Sequence, residues 1–415
     1  MRPFFKSSFW SFLSIGSRTV SALAINKLVA LQFGPNGITL LAHFQNLVTI
    51  ATSVPNDGIN QGLIAFLTDK KTADPHYRRY FWAGAIWQIG VFAVVTTLFL
   101  SQRHYYLGAF LQDDRPAAWL GFFFLGLLLL LAVIFLQAVM LTRHALSYYA
   151  GLVALPSAAS AALFWYFRQD YALSALLLMY LGCQGLAAGV AGVLTVRRGW
   201  LPAFTRAGTD LKALAAIGKF ILMALTLVIC SKGVNFYVRD LMISRFDLYQ
   251  TGLWQAVVKL SDSYTMVFTS LLGMMYYPRL AALVRQEDAF RNWVRQFFYR
   301  MVPLIGLGLL AFYGLQRWVI LLLFDETFLP AASLLDYQVL GDFFKMSAWI
   351  LSYILTVQAR TAFYIAVQVA AAAVYLFLLF CFVAAFGLKG VTMAHCASFG
   401  LFLLFNLVYF RKILF

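Results

Sequence analysis

Apolar residues run through this chain in blocks of twenty or so. At 1.5 Å per helical residue, each block is long enough to cross the ~30 Å hydrocarbon core of a bilayer. Such blocks fall at roughly 8–33, 38–67, 80–100, 117–141, 147–167, 172–196, 214–241, 249–277, 297–316, 332–357, 361–385 and 389–410. Short polar stretches such as "FGPNG" and "FRQD" separate them. Only helices and closed barrels satisfy every backbone group in lipid, and blocks of this length are helical. The pattern therefore predicts an all-α integral membrane protein with twelve transmembrane helices. "RWVILLLF", after the ninth block, either extends it or lies at the interface.

The polar residues inside the blocks are unevenly shared. The first carries Arg18, Asn26 and Lys27; the second His43, Gln45, Asn46, Asn56, Asp57, Asn60 and Gln61. The seventh holds Lys232, Asn235, Arg239 and Asp240, the eighth Gln255, Lys259 and Asp262, and the tenth Gln338, Asp342 and Lys345. The third, fourth, ninth and twelfth are far more apolar. A charge at the centre of a membrane helix costs roughly 2.5–3.5 kcal/mol on insertion scales, and such charges turn toward a bundle interior or an aqueous cavity. Helices 1, 2, 7, 8 and 10 are thus expected to line a central cavity.

At about 100° per residue, Gln255, Lys259 and Asp262 share a face, as do Gln338, Asp342 and Lys345. Each face places a Lys and an Asp three apart, so each can neutralise itself. Lys232 and Arg239 also share a face, whereas Arg18 and Lys27 point to opposite ones, and Lys27 can snorkel outward. The embedded cations are Arg18, Lys27, Lys219, Lys232, Arg239, Lys259 and Lys345; the anions are Asp57, Asp240, Asp262 and Asp342. A purely structural ion-pair network does not need this surplus of cations, and an anionic cargo would supply the missing partners. Each polar residue also has an ordinary alternative role, a hydrogen bond between helices.

Composition agrees. The chain of 415 residues is 62% hydrophobic and 12% charged, against about 25% charged for a soluble domain. The net charge of +16 is mainly a matter of topology. Connections after odd-numbered blocks carry six Lys and Arg, and the termini with the remaining connections carry nineteen. Basic loops stay in the cytoplasm, so both termini are expected there, and no nucleic-acid partner is implied. In the basic stretch 278–300, Leu283, Phe290, Trp293 and Phe297 are spaced as in an amphipathic helix lying on the inner leaflet. Cys183, Cys230, Cys381 and Cys396 all sit in apolar surroundings, and the five histidines are scattered, so no disulfide framework, metal site or cofactor is expected. Ala22-Leu23-Ala24 imitates a signal-peptidase site, but Arg18 interrupts the apolar run before it, so this segment is expected to remain as the first span. No connection is long enough for a soluble domain, which places any function among the helices.

The charges hint at a repeat. Arg18 and Lys6 precede the turn at Gly37 much as Lys232 and Lys219 precede the turn at Gly252, and a polar helix follows each turn. This predicts an N-lobe over 1–198, a cytoplasmic linker over 199–212 and a C-lobe over 213–415, with six helices per lobe related by an axis along the membrane normal.

The stretches "LVALQFGPNGITLLAHFQNLVTI", "DGINQGL", "KFILMALTL", "GLWQAVVKLSDSYT" and "LGDFFKMSAWILSYILTVQARTAFYI", spread over both halves, resemble the Wzx flippases of the multidrug/oligosaccharidyl-lipid/polysaccharide exporter superfamily. The resemblance is strongest to the branch serving enterobacterial common antigen synthesis. It implies a two-lobed transporter of the bacterial inner membrane, not an enzyme. The implied cargo is an undecaprenyl-pyrophosphate-linked oligosaccharide, and the polymerase and chain-length regulator of the same pathway are implied as partners. The two extra helices of the related lipid II flippases are absent from the expected spans, so no path for the polyprenyl tail carries over. On this reading Arg18, Lys232, Arg239 and Lys259 contact the anionic cargo. Asn46, Asp57, Gln255 and Gln338 bind sugar hydroxyls, while Asp262, Asp342 and Lys345 pair charges or couple ions. The alternatives are a flippase for O-antigen or another polysaccharide unit, a multidrug antiporter, which a positive cavity disfavours, and a polymerase or ligase, which would need a large periplasmic loop.

Overall fold

The computed structural model describes the chain except Met1, Asp69, 102–115, 204–209, 230–232, 273–275, 277–278, 281–282, 284–285, 359–360 and Phe415. The described residues form helices joined by short connections, with no strand among them. The helices are α1 (Arg2–Val54), α2 (Asn60–Leu67), α3 (Pro75–Ser101), α4 (Pro116–Thr142), α5 (Leu146–Phe167), α6 (Leu173–Arg197), α7 (Leu211–Val228), α8 (Val234–Arg245), α9 (Leu248–Leu271), α10 (Glu287–Gly314), α11 (Gln316–Leu323), α12 (Ala332–Val357), α13 (Thr361–Phe386), α14 (Lys389–Tyr409) and α15 (Arg411–Leu414).

Among the described residues, each expected span overlaps one or two of these helices, and 230–232, 273–275 and 277 of the seventh and eighth spans lie outside the described residues. The first two lie along α1 and α2, parted at Gly34, whose φ of 58° and ψ of −157° interrupt the helix just before Pro35. A π-helical turn, Pro55–Ile59, joins α1 to α2. Pro55 has no N–H to give the preceding turn, which favours such a local rearrangement.

Among the described residues, eight stretches are long and apolar enough to cross a membrane by hydropathy alone, and the first, Leu13–Leu67, takes in most of the first expected span and all of the second. The remaining spans correspond to α7 with α8, to α9 and to α12, and these are the ones that carry Arg239, Lys259, Asp262, Asp342 and Lys345.

One expectation needs correcting. Residues 287–300 are not a separate surface helix but the first turns of α10. The stretch is amphipathic as expected, with Phe290, Val294 and Phe298 buried and Arg291, Arg295 and Arg300 exposed. No break in the backbone separates it from the apolar half of the helix, and Pro303 is accommodated inside it.

Acidic residues are scarce here, and several cap helices. Asp247 accepts a hydrogen bond from the Gln250 N–H at 2.6 Å, Asp210 from the Lys212 N–H at 2.9 Å, and Asp74 from the His76 N–H at 2.8 Å. Carboxylates satisfy orphan N–H groups at helix starts and suit the positive end of the helix dipole.

The chain divides into two compact units, residues 1–33 with 40–236, and residues 34–39 with 237–415. In the first, Ile59, Leu63, Tyr77, Phe81, Phe135, Val139 and Ile217 form a core from α2, α3, α4, α7 and the π turn. A Cβ on Gly58 would lie 3.0 Å from Ile221 Cα, so the π turn meets α7 where a side chain would not fit. Helices α4 and α6 approach closely too: a Cβ on Gly126 would lie 2.8 Å from Leu181. Small residues let membrane helices come this near and gain dispersion energy in place of a hydrophobic drive.

In the second unit α12 and α14 pack closely. A Cβ on Gly341 would come within 2.9 Å of Cys396 Cα. The turn at 34–39 packs on the start of α9, where Thr39 donates to the Leu248 carbonyl at 2.7 Å and a Cβ on Gly252 would overlap the Pro35 carbonyl.

Candidate functional site

In the first unit the expected residues are spread along α1 and the π turn. Arg18 is exposed on α1 and interacts electrostatically with Tyr180 of α6. Asn46 is half-buried, and His43, fully buried, stacks on Phe236 with ring centroids 5.0 Å apart. Asp57 is exposed on the π turn, where it accepts from the Asn56 amide at 3.0 Å. The local unwinding turns these two polar groups outward while Gly58 and Ile59 face α7. Lys219 is exposed on α7, and Lys232 lies outside the described residues.

The second unit gathers its polar residues into two groups on opposite sides of α9. On one side, Lys259 and Asp262 of α9 are in electrostatic contact with Arg239 of α8. Arg239 is buried, Lys259 half-buried and Asp262 exposed. Within this trio two cations face one carboxylate. Lys259 thus has a cationic neighbour that the sequence spacing does not suggest, the Arg239 guanidinium, beside the Asp262 carboxylate.

On the other side lies a polar hub centred on Asp342, 0% exposed. Lys345 Nζ lies 3.1 Å from its Oδ1, as the three-residue spacing predicts. Ser261 of α9 donates to Oδ2 at 2.6 Å, and Tyr264 donates a short hydrogen bond to the same oxygen. Gln338 Nε2 lies 3.3 Å from Oδ2, and His395 Nε2 of α14 lies 3.0 Å from Oδ1. The Lys345 ammonium lies near the Trp349 and Phe399 rings, with Nζ 5.3 and 5.9 Å from their centres. A buried carboxylate survives only when paired and fully hydrogen-bonded, and this one ties three helices together.

The structure therefore brings together Gln338, Asp342 and Lys345, and separately Arg239, Lys259 and Asp262. Gln255, only 1% exposed, is packed inside the unit. Ser261, Tyr264 and His395 were not expected at a site. His395 belongs to an otherwise apolar helix in which Thr392, His395 and Ser398 recur every third residue, a polar stripe that marks a face turned from lipid.

No family model matches the sequence. Two proteins named lipid III flippase, from Escherichia coli K12 and Shigella flexneri, are each 24% identical to it over 406 residues, covering 95% of either chain. Among solved structures, the fold matches an inward-facing multidrug resistance MATE family transporter of the MOP superfamily with a TM-score of 0.77 at 12% identity, covering 95% of this chain and 94% of the other. It matches the lipid II flippase MurJ in an inward closed conformation with a TM-score of 0.74 at 10% identity, covering 98% of this chain and 90% of the other. A helical membrane chain with this arrangement has the fold of the MOP superfamily transporters, and along nearly its whole length its sequence is similar to that of the lipid III flippases.

Proposed function

We propose that this protein flips an undecaprenyl-pyrophosphate-linked oligosaccharide, lipid III of enterobacterial common antigen, from the cytoplasmic to the periplasmic leaflet of the inner membrane by alternating access. The observation that carries this reading is the similarity to lipid III flippases over 95% of both chains. The chemistry agrees with it. A pyrophosphate and an acidic sugar need cationic partners, and the Arg239–Lys259–Asp262 group holds more positive than negative charge.

Arg18, Lys232, Arg239 and Lys259 are assigned to the anionic part of the cargo, and Asn46 and Asp57 to sugar hydroxyls. Gln338 spends its amide on Ser261 and Asp342, and with Gln255 it serves to position α9 and α12. Both termini face the cytoplasm, and the polymerase and chain-length regulator of the pathway act on the delivered product. Each lobe keeps its internal packing while access alternates.

The test is transport in proteoliposomes containing an undecaprenyl-pyrophosphate-linked trisaccharide, read as its protection from a membrane-impermeant glycan-oxidising reagent. Protein-dependent loss of protection is expected. Export of a cationic dye with no movement of the glycan would instead establish the multidrug antiporter.

A further inference from the structure

One face of the first unit lacks the apolar cover that lipid requires. From Gly34 to Leu67 the exposed residues are Asn36, Asn56, Asp57, Gln61 and Ala65, and no large apolar side chain is exposed between Leu31 and Ile86. Faces suited to acyl chains look different: α3 exposes Ile86, Ile89 and Val94, and α6 exposes Leu186, Val190 and Val193. Asp57 lies ten residues before the end of α2 at Leu67, about 15 Å along the axis and so within the hydrocarbon depth. A carboxylate with two amides at that depth turns to water or to a polar ligand, not to acyl chains.

The π turn at Pro55–Ile59 sets this face. Its extra residue rotates all that follows by about 100° relative to an unbroken α-helix. In the register observed, Asn60 donates to the Ile134 carbonyl of α4 at 3.3 Å, Leu63 and Leu67 enter the core, and a Cβ on Gly62 would lie 3.6 Å from Ile217 and Phe220 of α7. Those contacts cover two sides of α2. Gln61 falls four residues after Asp57 on the remaining side, with Ala65 four further on. Among the described residues Gln61 has no hydrogen-bond partner. Asn56 gives one amide N–H to Asp57 and keeps its carbonyl oxygen and second N–H. Carboxylate and amide groups side by side accept from hydroxyls and donate to them, the pairing that a sugar needs. No Lys or Arg occurs from Gly34 to Leu67, and Asp57 repels phosphate, so this face is unsuited to a pyrophosphate or an acidic sugar.

We propose that the open face of the π turn and α2, bearing Asn56, Asp57 and Gln61, is a glycan-binding rail that takes the hydroxyl groups of the uncharged sugars of the cargo. The proposal rests on the flippase reading above and deepens it, because it separates the sugar contacts from the contacts to the pyrophosphate. At about 1.5 Å per residue the three side chains are spread over roughly 8 Å of helix, so they reach more than one hydroxyl group. Asp57 accepts from the sugar, Gln61 both donates and accepts, and Asn56 holds the Asp57 carboxylate in place through its amide. Gly58 and Gly62 keep the backbone of this segment pressed on α7, so the rail stands on a packed support rather than on a loop.

The test has two arms, both on full-length protein. In nanodiscs and a cysteine-free background, Gln61→Cys is expected to react with a water-soluble thiol reagent about tenfold or more faster than Val94→Cys, because the reactive thiolate forms in water and not in lipid. Undecaprenyl-pyrophosphate-linked trisaccharide is expected to slow that reaction about threefold or more, and undecaprenyl pyrophosphate without sugar to leave it unchanged. A Gln61→Cys rate as low as that of Val94→Cys puts the face in lipid and overturns the proposal. So does protection by neither lipid, or equal protection by both. If Gln61→Cys fails to accumulate, Ala65→Cys, one turn further on the same face, carries the same test. In proteoliposomes, Gln61→Leu is expected to lower flipping of the trisaccharide lipid about fivefold, the loss of one hydrogen bond, while Gln61→Asn keeps most of it. Wild-type flipping by Gln61→Leu overturns the proposal. Failure of wild-type protein to move the glycan defeats the flippase reading, while sugar-dependent protection of Gln61→Cys still decides whether this face binds glycan.

Discussion

Asp342 and Lys259 show how differently two embedded charges can be held. Asp342 is surrounded by donors from α9, α12 and α14, and it is paired with Lys345. Removing one partner of a buried pair strands the other, at a cost of about 3–5 kcal/mol, whereas removing both is far milder. Asp342→Ala should therefore lower the thermal stability of the purified protein much more than Asp342→Ala combined with Lys345→Met. Equal losses would show that Lys345 does not depend on Asp342. Lys259 differs, since Asp262 is exposed and Arg239 adds a second cation. If Lys259 serves the cargo, Lys259→Ala should reduce flipping about tenfold or more, the loss of one charge-assisted contact. The defect should persist in Lys259→Ala/Asp262→Ala, with non-additivity in the cycle measuring how far the two are coupled. Near wild-type flipping by the double variant would remove Lys259 from the site. The Asp342–Lys345 pair was legible from spacing alone, because residues three apart on a helix meet. His395 was not, because its partner stands 53 positions away on another helix, a separation to which helical periodicity is blind.

At the level of elements, sequence reading succeeds where length and hydropathy decide, and misses what backbone detail decides. The apolar blocks foretell helices such as α4, α5 and α6 closely. The π turn at Pro55–Ile59 and the unbroken run of α10 from Glu287 have no periodic signal, because each depends on how the backbone accommodates a proline or on whether a polar first turn joins the span behind it. Glycines carry similar information that composition does not reveal. A Cβ on Gly341 would come within 2.5 Å of the His395 ring and 2.9 Å of Cys396 Cα, whereas one on Gly308 of α10 would meet nothing within 4 Å. Gly341→Ala should thus cost about 1–3 kcal/mol by overpacking and separate α12 from α14. Gly308→Ala should leave melting temperature within a degree or two. Thermal unfolding in detergent distinguishes these outcomes, and equal stability of the two variants would show that α12 and α14 yield without strain.

For the whole molecule, the distribution of positive charge and the pattern of apolar blocks say more than residue identity does. A fold shared with a MATE transporter at 12% identity and a TM-score of 0.77 depends on block lengths and small-residue contacts that many sequences can supply. Among the described residues, the stretches that pass on hydropathy leave out α9 and α12, so a filter for apolarity discards the helices that carry Lys259, Asp262, Asp342 and Lys345. The same charges, counted in the connections, predict orientation. Nineteen Lys and Arg lie at the termini and the even-to-odd connections, against six in the others. That asymmetry is the basis for expecting both termini in the cytoplasm. In a cysteine-free background, Asn36→Cys and Asp170→Cys should react with a membrane-impermeant thiol reagent added outside spheroplasts. Asp74→Cys and Gly208→Cys should react only after permeabilisation. The paired design separates orientation from accessibility, because a buried position would stay unreactive under both conditions. Labelling of Asp74→Cys from outside, with protection of Asn36→Cys, would invert the molecule and place the basic connections in the periplasm. The assignment of Arg239 and Lys259 to a cargo arriving from the cytoplasmic leaflet would then fail, because the direction of delivery would be reversed.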